Sequence, residues 1–139
     1  MQQLVSGANT IISTVEQSRT IANAEYLFVY INDLSYKKVA CTSTETALDG
    51  DRSSFPITVT SNPVALNGEI ELDLLGMYHY YIFEKTAAQI AAFNYAGIDS
   101  VDIRTITGLV ETGKMQYSAT PATNVYYKDV RTSTQVYGS

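Results

Sequence analysis

Residues 25–31, EYLFVYI, are apolar on both faces when drawn as a strand, with Tyr26, Phe28 and Tyr30 pointing one way and Leu27, Val29 and Ile31 the other. A strand with one wet face alternates apolar and polar residues. This one needs apolar cover on both sides, which makes it a central strand and requires packing against both faces of its sheet. The Asn32-Asp33-Leu34 triplet that follows supplies turn chemistry through its first two side chains.

The rest of the chain supplies partners for such a strand. TIISTV at 10–15 and YKKVACT at 36–42 are rich in β-branched and aromatic residues. In FPITVT, 55–60, Phe55, Ile57 and Val59 alternate with Pro56, Thr58 and Thr60, and the proline predicts an edge position or a strand start. At 69–74, Glu69, Glu71 and Asp73 alternate with Ile70, Leu72 and Leu74, the pattern of a half-buried strand with a carboxylate row facing water. After Gly76, GMYHYYIFEK places Tyr78, Tyr80 and Ile82 on one face and Met77, His79, Tyr81 and Phe83 on the other. The spacing predicts a tight hairpin between 69–74 and 77–84, with the Tyr78, Tyr80, Ile82 face in the core. Residues 86–97 change in character, with alanines, Ile90 and Phe93 at helical spacing, Thr86 as N-cap and Gly97 as the stop. TGLVETGKMQY at 107–117 resumes the sheet. Some seven short strands and one weak helix predict an all-β fold. The expected architecture is a single antiparallel β-sandwich, immunoglobulin-like or jelly-roll-like, over 1–117, with one short helix or long loop at 86–97. Residues 118–139 are expected to form a C-terminal extension, either a last strand or an assembly arm that orders against a neighbouring protein.

Composition narrows the function. The 139 residues suit one domain, and nine basic against fourteen acidic residues, a net charge of −5, leave no basic patch denser than Lys37-Lys38, so nucleic-acid binding is not expected. No apolar run approaches the roughly 18 residues that cross a bilayer, and the amino end lacks a basic stretch before Arg19, so neither a membrane span nor an export signal is expected. Cys41 is the sole cysteine and reads as a small apolar strand residue. His79 is the sole histidine, with no second one for a metal and no nucleophile elbow to serve. The Asp49-Gly50-Asp51 turn carries carboxylates but not the remaining ligands of a calcium loop. The expectation is a protein that is not an enzyme and uses no cofactor and no metal.

Three segments in order, GANTIISTVEQSRTIANAEYLFVYIND, GMYHYYIFEKT and TGLVETGKMQY, resemble small β-sandwich virion proteins of tailed bacteriophages, notably phages of Bacteroidetes hosts, over roughly residues 7–117. The chain departs from that pattern at Phe83, in the long 85–106 connection and from Ser118 onward. The resemblance implies capsid decoration or head-fibre attachment on the exterior of a virion assembled in the bacterial cytoplasm. It implies the major capsid protein or other virion proteins as partners, and homo-oligomers. His79, Tyr81, Phe83, Tyr95, Tyr126, Tyr127 and Tyr137 are the candidate interface residues. The alternative is a carbohydrate- or receptor-binding module of a fibre, neck or tail, with tyrosines offering apolar faces and hydroxyl handles.

Tyr80→Ala is expected to cost about 3–5 kcal/mol, as for other aromatics removed from cores. Denaturant unfolding measures it, and an unchanged midpoint would put Tyr80 on the surface.

Overall fold

The computed structural model describes residues 1–50 and 52–119. Among them nine strands are formed: β1 (Gln2–Val5), β2 (Gly7–Ser13), β3 (Glu25–Asn32), β4 (Lys38–Ser43), β5 (Thr46–Ala47), β6 (Ser53–Val59), β7 (Glu69–Ile70), β8 (Gly76–Lys85) and β9 (Leu109–Ser118). One sheet has the order β1-β9-β8-β3-β4. The second places β2 on one edge of β6, with the short β5 and β7 also paired to β6. The fold is all-β and the two sheets stack as a sandwich, with most pairs antiparallel. β1 with β9 and β6 with β7 are parallel, which the expectation of a purely antiparallel sandwich did not include.

β3 sits inside the larger sheet between β8 and β4. Tyr26, Phe28 and Tyr30 face the second sheet, where Phe55 meets Tyr26 and Phe28 edge-on at centroid distances of 5.5 and 4.9 Å. Tyr78, Tyr80 and Ile82 of β8 lie in the same core, as the period of two required. The ring of Tyr80 lies over Gly113, where a Cβ would come within 2.9 Å of it. Leu27 and Val29 point the other way, into a second core with Phe83, Ile90 and Ile98. That cover comes from residues 86–106: α1 (Ala87–Ala92) and the 3-10 turns Ile98–Ser100 and Ile103–Thr105. Thr86 caps α1 in a reciprocal capping box with Gln89, whereas the helix ends at Phe93 rather than at Gly97.

The expected hairpin between 69–74 and 77–84 does not form. Both edges of β8 are taken by the longer β3 and β9, so β7 pairs instead with β6, over two residues. The alternation still holds for Ile70 and Leu72, which are buried, but Leu74 is exposed because the chain has by then left the sheet to cross toward β8. Pro56 lies within β6 opposite Thr10 rather than at a sheet edge. Thr58 and Thr60 donate their N–H groups to Gly68 and Ile70, so the even-numbered residues of β6 face β5 and β7. Pro56 occupies the gap between those two short strands, where no ladder bond is lost.

Strand β9 ends at Ser118, and of the C-terminal extension expected at 118–139, a last strand or an assembly arm, residues 120–139 lie outside the described residues. Gly108 precedes β9 at φ +92°, accepts the Glu84 N–H at 2.8 Å, and would place a Cβ 2.5 Å from the Glu84 carbonyl oxygen. Gly108→Ala should therefore destabilise by at least about 1–3 kcal/mol, read by urea unfolding. An unchanged midpoint would mean that the 86–106 layer can shift without penalty.

Candidate interaction surface

The aromatic row of β8 forms as the alternation implied. His79 stacks on Tyr81 at 5.7 Å and Tyr81 on Phe83 at 6.3 Å. The row is not an open face, however. Phe83 is only 2% exposed beneath the 86–106 layer, and Tyr95 donates its hydroxyl to the Ile90 carbonyl while meeting Phe93 edge-on. Burial pushes the Tyr95 hydroxyl up to about 12. Of these two candidate interface residues Phe83 is a core residue, because the apolar second face of β3 demands a cover and its ring lies beneath it, whereas Tyr95 is partly buried against that core. His79 and Tyr81 remain half-buried at the rim. Tyr126, Tyr127 and Tyr137 lie outside the described residues, as does Asp51 of the acidic turn. Cys41 is fully buried, which raises its thiol pKa and keeps it protonated.

Two carboxylates that alternation places on the core-facing sides of their strands prove to be braces. Glu84 shares its face with Tyr80 and Ile82 and is 6% exposed, and the loop between β2 and β3 reaches its carboxylate. That loop supplies the Thr20 N–H, the Thr20 hydroxyl and the Ile21 N–H, each 2.8 Å from a carboxylate oxygen. Burial alone would raise its pKa, but these donors and the Arg19 charge outweigh it and hold the carboxyl below the usual glutamate value. Glu111 of β9 joins the sheets: Tyr80 donates to one oxygen at 2.7 Å, and the Ser13 hydroxyl and Thr14 N–H donate to the other at 2.5 and 3.3 Å. Burial and the adjacent Glu111 raise the Tyr80 hydroxyl pKa. Tyr30 donates to Gln2 Oε1 at 3.1 Å, and the Gln2 amide bears on the Tyr80 ionisation without meeting an acceptor at hydrogen-bonding geometry. An open cleft of about 400 Å³ runs over this group. With three donors on Glu111, the carboxylate acts as a brace rather than as a free base.

One end of the sandwich groups several exposed large apolar side chains. The turn between β3 and β4 exposes Leu34 at 84% and Tyr36 at 72%, and the crossing into β8 exposes Leu75 at 58% beside Leu74. Asp33 N–H to the Met77 carbonyl and the Lys37–Asp73 ion pair hold the two segments side by side. Asn32 shapes the turn by accepting the N–H groups of Leu34 and Ser35 at 2.8 and 2.9 Å. Tyr36 is held at φ +59°, a left-handed conformation that costs a bulky residue on the order of 1–3 kcal/mol and that collects at functional sites. The exposed leucines at 34 and 75 fall outside any strand pattern, so periodicity had no means of finding this end. Comparison with protein-family models, curated proteins and solved structures returned no match.

Because the folded Glu84 pKa is depressed, its contribution to stability is complete above about pH 4.3, the ordinary glutamate value, and is lost as pH falls through the folded value. Glu84→Ala should cost about 1.5–3 kcal/mol at pH 7, with the gap to the parent protein narrowing at pH 3. Urea unfolding at both pH values checks this; a gap independent of pH would show that the carboxylate charge plays no part.

Proposed function

We propose that this chain is a non-enzymatic structural protein of a tailed-phage particle, acting as a capsid decoration or head-stabilising protein through protein–protein contacts. The major capsid protein and further copies of the chain are its partners, on the exterior of a particle assembled in the bacterial cytoplasm. The ordered segments described above support the particle. The observation that carries the contact role is the apolar end formed by Leu34, Tyr36, Leu74 and Leu75. Large apolar side chains grouped at one end, on a turn held in a strained conformation, gain more from a partner than from water. A second reading, saccharide or receptor binding, is favoured by the half-buried, stacked His79–Tyr81 pair at the rim of the second core.

The double variant Leu34→Ser, Tyr36→Asn keeps a residue that tolerates the left-handed turn. Its stability should stay within about 0.5 kcal/mol of the parent, while its binding to capsids lacking the protein should weaken at least about tenfold, or 1.4 kcal/mol. Co-sedimentation with such capsids measures it. Undiminished binding would overturn the reading, and loss on Tyr81→Ala instead would favour the saccharide or receptor role.

A further inference from the structure

An edge strand carries a row of unpaired backbone groups, and natural sheets blunt it with charge, proline, a bulge, short length or a covering segment. Most edges of this molecule are blunted in one of these ways. β5 and β7 are two residues each. β1 has four residues, and the Asn9 side chain bonds both the N–H and the carbonyl of Val5 at its end. On β4 the outward backbone groups belong to Lys38, Ala40 and Thr42, since Asn32 donates to the Lys37 carbonyl on the inward side. There Asp99 accepts the Lys38 N–H at 2.9 Å, and Gly68 stands against the Thr42 carbonyl.

β2 differs. It runs for seven residues, GANTIIS, with no charge, no proline and no break in its register with β6. Because the odd-numbered residues of β6 face β2, they bond Asn9, Ile11 and Ser13, and the backbone groups of Ala8, Thr10 and Ile12 point away from the sheet. Among the described strands β1 does not close this edge: it pairs with β9 in the other sheet, and an open cleft of about 210 Å³ is walled by residues 1–3 and 10–12. The side chains of Ala8, Thr10 and Ile12 are all exposed on the outer face of the smaller sheet, Ile12 at 48%.

We propose that the free edge of β2 is the contact surface for a second copy of this chain, the two β2 strands pairing antiparallel about a two-fold axis at Thr10 so that the smaller sheets of the two copies join. The edge is complementary to itself. A two-fold at Thr10 sets Ala8 opposite the Ile12 of the other copy and Thr10 opposite its own counterpart, so the residues that exchange bonds are the three whose groups point outward. On the outer face the large Ile12 then lies beside the small Ala8, and Thr10 beside Thr10, a favourable cross-strand pair. Charge favours the same place. Two copies that each carry a net charge of −5 repel, and an uncharged strand lets them meet without setting like charges opposite one another. Such an isologous contact closes on itself and stops at a dimer. It uses none of the residues of the apolar end, so it stands or falls separately from the particle reading.

Sedimentation velocity and amide exchange on the full 139-residue chain test this. A contact of one strand is small for its class, so the dimer should dissociate with a constant on the order of 100 μM. Between about 10 μM and about 1 mM protein the mass should rise from monomer toward dimer, and the Ala8, Thr10 and Ile12 amides should slow at least about threefold. Thr10→Lys sets two ammonium groups against each other at the axis and should keep the chain monomeric over that range, with the exchange of β3 amides unchanged to establish that the sandwich is intact. A parent chain that stays monomeric overturns the proposal. So does a dimer that leaves the three amides fast, which would give the contact to another surface, and so does protection of these amides in the monomer, which would mean that the chain covers its own edge. A dimer that survives Thr10→Lys overturns it as well. Should the lysine variant fail to fold, the concentration dependence of exchange in the parent chain decides.

Discussion

The burial of both faces of β3 is the constraint on which the rest of the structure depends. A strand with Tyr26, Phe28 and Tyr30 on one side and Leu27 and Val29 on the other is stable only between two apolar layers. One is the second sheet, centred on Phe55. The other is not a sheet among the described residues. It is supplied by the 86–106 segment, whose Ile90 and Ile98 close over Leu27, Val29 and Phe83. The length of that connection follows from the same demand.

Two carboxylates brace this arrangement where apolar packing ends. Glu84 continues the core face of β8 past Ile82 and draws the loop between β2 and β3 down onto the sandwich through three donors. Glu111 ties β9 and β8 to the end of β2 by accepting from Tyr80, Ser13 and the Thr14 amide. Glu84 satisfies the rule that a buried polar group needs partners, and both carboxylates accept backbone donors of irregular segments. The ionised residues with the greatest structural consequence are therefore not the Glu69, Glu71, Asp73 row that alternation makes conspicuous. In that row, Glu69 accepts the Val64 N–H and Asp73 pairs with Lys37 at the exposed surface.

Much of the fold was legible in the sequence, and the candidate surface far less so. The assignment of Tyr78, Tyr80 and Ile82 to the core held because side-chain direction in a strand depends only on a period of two. The hairpin inferred from the same alternation failed because pairing depends on which edges are free, and those of β8 were filled by longer strands. Phe83 looks like a surface ring in sequence because nothing local reports that the 86–106 segment folds back over it. Glu84 carried a readable signal, a carboxylate in phase with Tyr80 and Ile82, which called for donors from elsewhere in the chain. Leu34, Tyr36 and Leu75 carried none, since exposure at a turn is a property of the assembled end and not of the residues.

What the sequence by itself determined were the local properties: where the strands lie, which side chains share a face, that β3 must be covered twice, and that Thr86 starts a helix. Backbone geometry and side-chain chemistry act within a few residues, so these follow from neighbours in the chain. The tertiary structure alone decided which strands pair, that β1 runs parallel to β9, which aromatic rings are roofed and which acids become braces. Each of those depends on contacts between residues far apart in sequence, where burial and hydrogen-bond satisfaction are settled jointly by the whole chain and not by any one segment.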